Sequence, residues 1–148
     1  MGERTWITSL AGFGASVPGI HESYDLETTP DKVTRAMLPC LIPLPDLDET
    51  QGLTLDGAMG GAPHDSFTVT HRLLFRETAN LSRRQVLPDL IAQRDSYVAA
   101  AAVQRFLTAD SSPLNQVPIA FSIRVGAGTW GDVEYHLIDF KYRVRVNM

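Results

Sequence analysis

Cysteine is almost missing from this chain: Cys40 is the one thiol in 148 residues. A single thiol excludes an internal disulfide and any cluster of thiolate metal ligands, and it fits a reducing compartment. On its own Cys40 reads as a small buried hydrophobe. Lysine is scarce too, since only Lys32 and Lys141 of the 13 basic residues are lysines. Arginine is the base enriched at protein interfaces, although a GC-rich genome gives the same bias. No apolar run approaches the about 18 residues that a membrane span needs. The opening Met1-Gly2-Glu3-Arg4-Thr5-Trp6 does not read as a secretory leader. No internal repeat or low-complexity tract is present. Walker and Gly-x-Ser-x-Gly sequences are missing as well, so the common nucleotide and hydrolase signatures drop out.

What is there is an ordinary globular mixture, 44% apolar and 20% charged, of a length that suits one domain over residues 1–148. The net charge of −4 is unevenly spread. Residues 1–66 hold ten acids against Arg4, Lys32 and Arg35, giving −7, while residues 67–148 hold seven acids against ten bases, giving +3. An acidic chain is poorly suited to non-specific nucleic-acid binding, which depends on neutralising phosphates. Opposite charge in two regions suits head-to-tail contact between identical copies. Chance clustering in a chain whose halves intermix is the plainer reading.

Trp6, Ile7, Leu10 and Phe13 fall at helical spacing and predict a short N-terminal helix over 4–17. Gly12 and Gly14 weaken it, and Pro18-Gly19 ends it. Residues 18–36 read as polar and turn-rich. In Leu38-Pro-Cys-Leu-Ile-Pro-Leu-Pro45 the prolines stand only at odd positions. Successive amides of a strand point to opposite edges, so the prolines strip donors from one edge and leave the other intact. This predicts an edge strand blunted on its outer side, with a polyproline-like segment as the alternative.

Residues 46–65 predict a long loop, with Thr50 to Leu55 pairing as a small hairpin. Phe67, Val69, His71, Leu73 and Phe75 alternate with polar residues and predict a strand. Leu87, Leu90, Ile91, Arg94, Val98, Ala101 and Ala102 share one side of a helix expected near 82–107, with Pro88 in its first turn or at a kink. After a loop at 108–116, Ile119, Phe121, Ile123 and Val125 form another strand. Gly126 to Gly131 connects it to a final strand over 132–147. There the apolar parity switches between Leu137 and Ile138, which predicts a β-bulge near that point. The expected fold is α+β: a short N-terminal helix, a mostly antiparallel sheet of about four main strands, and one long helix packed on it.

Few constellations suggest chemistry. Gly126-x-Gly128-x-x-Gly131 matches the dinucleotide fingerprint in letters, but a strand follows it instead of the required helix, so a glycine-rich hairpin is the better reading. His21, His64, His71 and His136 show no ligand spacing on a helix, and His71 sits on the apolar side of its strand. Asp46, Asp48 and Glu49 lack the glycine and terminal glutamate of a calcium loop, and read as an exposed acidic segment. No metal, cofactor or catalytic residue is predicted. Lys141, Arg143 and Arg145 alternate along the last strand and place their charges on one sheet face, with Arg124 as a candidate neighbour. A solvated face, an acidic protein partner and nucleic acid are the readings of that row; no aromatic platform supports the last.

Three stretches together resemble the tail-terminator (tail completion) family of long-tailed bacteriophages. They are the proline-rich strand 38–45 after a short helix, Phe67 to Phe75 followed by a long helix, and the ending Gly128-Thr-Trp-Gly-Asp-Val-Glu-Tyr-His-Leu-Ile-Asp-Phe-Lys-Tyr-Arg-Val-Arg-Val146. The resemblance implies a virion protein assembled in the host cytoplasm. It forms a homo-oligomeric ring, usually a hexamer, on the last ring of the tail tube protein. It ends tube growth, joins the tail to neck and head-completion proteins, lets DNA pass through its lumen without specific binding, and needs no membrane. It carries over no catalytic residue. A lumen for DNA is expected to be neutral or acidic, so the 141/143/145 row should face elsewhere. The candidate assembly interface is Asp46, Asp48, Glu49, Leu53, Leu55, Arg124, Lys141, Arg143 and Arg145. Other readings remain: another head–tail connector, a small-molecule-binding or enzymatic domain with a pocket near His71, His136 and the helix, or a protein-interaction or toxin-inhibitor domain.

Overall fold

A computed structural model describes residues 3–45, 52–54, 64–79, 82–103 and 116–147. The fold is α+β. Helix α1 (Glu3–Ala15) leads into a short strand β1 (Glu22–Ser23), a 3-10 turn (Arg35–Met37) and strand β2 (Cys40–Pro45). Strands β3 (Gly52–Thr54) and β4 (His64–Glu77), helix α2 (Arg83–Val103) and strands β5 (Gln116–Trp130) and β6 (Val133–Asn147) follow. They build a six-stranded sheet in the order β1-β2-β4-β6-β5, with β3 pairing β4. β1 lies parallel to β2 and every other pairing is antiparallel. The parallel β1 lies inside the stretch 18–36 read as polar and turn-rich.

Both helices lie on one face of the sheet. Trp6, Ile7, Leu10 and Phe13 of α1, and Leu90, Tyr97 and Ala101 of α2, pack against Phe67, Val69, Leu73, Ile138, Phe140, Tyr142 and Val144. The buried stripe of α2 is Val86, Leu90, Gln93, Tyr97 and Ala101, while Leu87 is 37% exposed and Ala102 is exposed. The expected stripe through Leu87 and Ala102 is therefore rotated. The reason is Tyr97, whose ring stacks on Phe140 at 3.6 Å and turns the buried side toward itself, with Leu90 and Ala101 common to both stripes. A reciprocal cap starts α2: the Gln85 amide donates to Ser82 Oγ at 3.3 Å, and the Ser82 amide donates to Gln85 Oε1 at 2.8 Å. Pro88 is the sixth residue of α2, beyond its first turn.

A second cluster covers part of the opposite face: Val33, Cys40, Ile42, Leu74, Tyr135 and Leu137, with Tyr24, Met37, Leu38, Leu44 and Trp130 packed against it. A β-bulge does lie near the parity switch at Leu137 and Ile138, as expected. β6 keeps its register there, and the apolar role changes parity because both faces of the strand are buried at that level. The extra residue is on the partner strand: β4 shifts register between Leu74 and Arg76, opposite Leu137 and His136.

The segment linking β1 to the 3-10 turn is strapped over this second cluster. Trp130 Nε1 donates to the Pro30 carbonyl at 3.0 Å, and the Tyr135 hydroxyl donates to the Val33 carbonyl at 2.8 Å. The predicted connection Gly126–Gly131 is corrected too. Gly126, Gly128 and Trp130 pair with Leu137, Tyr135 and Val133, so β5 runs on through the glycines. Only Gly131 (φ 57°) and Asp132 (φ 69°) turn the chain, the pair of positive φ values that a tight hairpin requires.

The proline pattern of β2 reads as expected. The Pro39 and Leu41 carbonyls accept the His21 and Tyr24 amides at 2.8 and 2.9 Å, so odd positions face outward. Pro43 and Pro45 thus withhold donors from the outer edge beyond the two residues of β1.

Candidate assembly surface

Register fixes what stands on the sheet face away from the helices. Asp139 lies between Arg72 of β4 and Arg124 of β5, Lys141 between Thr70 and Ser122, and Arg143 between Thr68 and Ala120. Asp139 accepts both arms of the Arg72 guanidinium, from Nε to Oδ1 at 2.8 Å and from Nη2 to Oδ2 at 3.0 Å. With side-chain exposures of 24% and 12%, the pair is shielded more than an ordinary surface pair. Arg124 folds back along its own strand, its Nη2 lying 3.1 Å from where a Cβ on Gly126 would stand. Arg124, Lys141 and Arg143 are all exposed and make no ion pair among the described residues.

Of the predicted interface residues, Arg124, Lys141 and Arg143 come together on one open face. The backbone of Arg145 continues the same row, opposite Ser66. Arg72 and Asp139 belong to this surface and were missed by reading β6 alone; their link is a cross-strand pair 67 residues apart in the chain. Leu53 lies on β3, paired with Asp65: Gly52–Thr54 pairs with His64–Ser66 of β4. Where the sequence predicts a small hairpin at 50–55 inside a loop over 46–65, the described part is a strand of the main sheet, and His64 and Asp65 belong to β4. Asp46, Asp48, Glu49 and Leu55 lie outside the described residues.

Two of the four histidines are interior groups. His71 is fully buried, and its Nδ1 lies 2.8 Å from the Tyr97 hydroxyl, which in turn lies 2.7 Å from the Tyr142 hydroxyl. Burial pushes the His71 imidazole down to about 3, so the ring is neutral, and burial holds both phenols above the ordinary tyrosine range. His136 is buried as well. The two imidazoles belong to the interior. Cys40 is buried, and burial followed by the Glu22 charge pushes its thiol up to about 12, so it is an inert packing group.

The cleft found among the described residues lies elsewhere. It has a volume of about 520 Å³ and is lined by Arg35, Leu38, Pro39, Phe75, Arg76, Glu77 and Ala79. Its charges are largely engaged: Arg35 pairs with Glu77 at 3.4 Å, and the Arg76 guanidinium sits 5.2 Å from the centre of the Phe75 ring. Its lining contains no nucleophile–base pair. No group of histidine, cysteine or acidic side chains able to hold a metal ion occurs among the described residues. No helix among them is long and apolar enough to cross a membrane.

Fold and surface together define an α+β domain with two helices on one sheet face and a basic row on the other. No protein-family model matches the chain, and no curated protein matches it either.

Proposed function

We propose that this chain is a structural subunit of a phage tail, a terminator or neighbouring neck protein, that assembles into a closed ring and performs no catalysis. The observation that carries the reading is the exposed row of Arg124, Lys141 and Arg143 on an open sheet face, in a chain whose first 66 residues carry −7. A closed ring repeats one heterologous contact until it meets itself, and opposite charges on separate surfaces supply such a contact. The order of elements supports the reading too: a short helix, a proline-edged strand, a long strand, a long helix and a long closing hairpin. In this reading the ring sits on the end of the tail tube in the virion, meets neck and head-completion proteins, and lets DNA through its lumen.

Mass photometry and negative-stain electron microscopy of the purified chain, alone and with tail tubes, test the proposal. Rings of uniform stoichiometry that dock on tube ends are the expected result. A monomer at all concentrations that ignores the tubes would remove it.

A further inference from the structure

The two outer edges of the sheet are built differently. On one side β1 covers two residues of β2, and beyond it Pro43 and Pro45 withhold outward donors. On the other side β5 runs from Gln116 to Trp130 with β6 as its one partner among the described residues. Every second amide and carbonyl of β5 therefore points away from the sheet. Nothing in the sequence blunts this edge: from 119 to 130 it holds no proline, no lysine and a single charge, Arg124. The side chains are as incompletely covered as the backbone. Phe121, Ile123 and Val125 stand on the helix face opposite Tyr142, Phe140 and Ile138. Those three partners are fully buried, whereas Phe121 and Val125 are half-buried and Ile123 is 38% exposed. The helices thus cover β4 and β6 and stop short of the edge strand. On the other face Arg124 is exposed, makes no ion pair among the described residues, and folds back toward Gly126.

We propose that the outer edge of β5 receives an extended segment of a partner protein as a further strand, with apolar side chains over Phe121, Ile123 and Val125 and an acid opposite Arg124. Residues directly opposite across an antiparallel pair bring their Cβ atoms to about 4.5–5.5 Å. An added strand therefore lays alternate residues beside the half-covered apolar row, and the residues between them beside Ser122 and Arg124. The backbone supplies the attachment, and the alternation supplies the choice of partner. A second copy of this chain is a poorer occupant. β5 holds no acid, so β5 against β5 leaves Arg124 unmatched, and on the far edge β1 offers only two residues. The proposal stands apart from the ring reading, because a monomer presents the same edge.

Two synthetic peptides serve as probes, Thr-Val-Thr-Val-Glu-Val-Thr-Val-Thr and the same sequence with lysine at its centre. Fluorescence anisotropy of labelled peptide at low salt should show the glutamate peptide binding about fivefold more tightly than the lysine one. Arg124→Glu should reverse that preference. Ile123→Lys, which puts a charge into the apolar row, should weaken both peptides at least about tenfold with unchanged far-UV circular dichroism. Amide exchange should slow along β5 when the glutamate peptide binds, while β1 and β2 are unaffected. If Ile123→Lys does not fold, the Arg124→Glu reversal and the exchange pattern decide. Absence of binding by both peptides at about 1 mM, or binding that leaves β5 exchange unchanged, would overturn the proposal. So would outward β5 amides already protected in the free monomer, since the chain itself would then cover the edge. A glutamate preference that survives Arg124→Glu would remove the acid contact. A natural chain that self-associates, and stops doing so with Ile123→Lys, would give the edge to a second copy and overturn the choice of occupant.

Discussion

His71 sits in the core as a neutral ring, joined to Tyr97 and through it to Tyr142, and the hydrogen bonds are what make two phenols and an imidazole tolerable there. Its Nε2 finds no hydrogen-bond partner among the described residues. The linkage has a definite sign. In the folded chain burial lowers the His71 value to about 3 from an ordinary 6.5, so the unfolded chain takes up the proton first. Stability from the neutral ring is complete above about pH 6.5 and drains as pH falls toward 3, by up to about 1.4 kcal/mol per pH unit. His71→Leu, which cannot titrate, should therefore show a flatter dependence of its urea midpoint on pH across that window. Equal slopes in the two proteins would mean that the ring protonates as readily folded as unfolded. Alternation along β4 was enough to put His71 on the apolar side; its partners come from α2 and β6, and no local pattern names them.

Helix α1 shows how one residue type does opposite things within one element. Gly12 and Gly14 look equally unfavourable for a helix when read along the chain. In the fold Gly12 is exposed, and a Cβ there would meet nothing within 4 Å. A Cβ on Gly14 would press on Ser23 Oγ, on Leu41 Cδ1 at 2.9 Å and on His71 Cε1 at 3.0 Å, atoms of β1, β2 and β4. Gly14 is therefore the point at which the helix seats on the sheet. Gly12→Ala should stabilise the protein by about 0.5–1 kcal/mol, through helix propensity and a less flexible unfolded chain. Gly14→Ala should destabilise it by about 1–3 kcal/mol through overpacking, despite the same propensity gain. Thermal melts of the two variants moving in the same direction would refute this account of α1. Helix α2 carries the same lesson. Its helical period was legible, but the stripe it buries was set by Tyr97 finding Phe140, and so Leu87 stayed on the surface.

At the scale of the molecule the sheet is covered twice, by the helices on one face and by the segment through Pro30 and Val33 on part of the other. The second cover is small and hangs on few groups, chiefly the Trp130 and Tyr135 hydrogen bonds and the apolar cluster beneath them. Small, locally held units open at lower cost than a central core. Trp130→Ala should therefore speed amide exchange over residues 24–38, while amides of α2 and central β6 keep their protection. Equal acceleration throughout would show that the two clusters unfold as one. Whole-molecule charge is read at this scale too, since Arg124 stands beside the β6 row only because β5 and β6 pair in a register that brings it next to Asp139.

From its sequence alone this protein was determined to be α+β, because periods of two and of about 3.6 residues depend on local backbone geometry and on which neighbours are apolar. The outward-facing prolines of β2 and the row of cations along β6 were determined in the same way, since side chains and amides alternate strictly along a strand. Only the tertiary structure decided the buried stripe of α2, the seat at Gly14, the double burial of β6 near Leu137, and the pairing of Arg72 with Asp139. Each of these is set by what arrives from a distant part of the chain, and a residue's own neighbours in sequence hold no record of which surface will cover it.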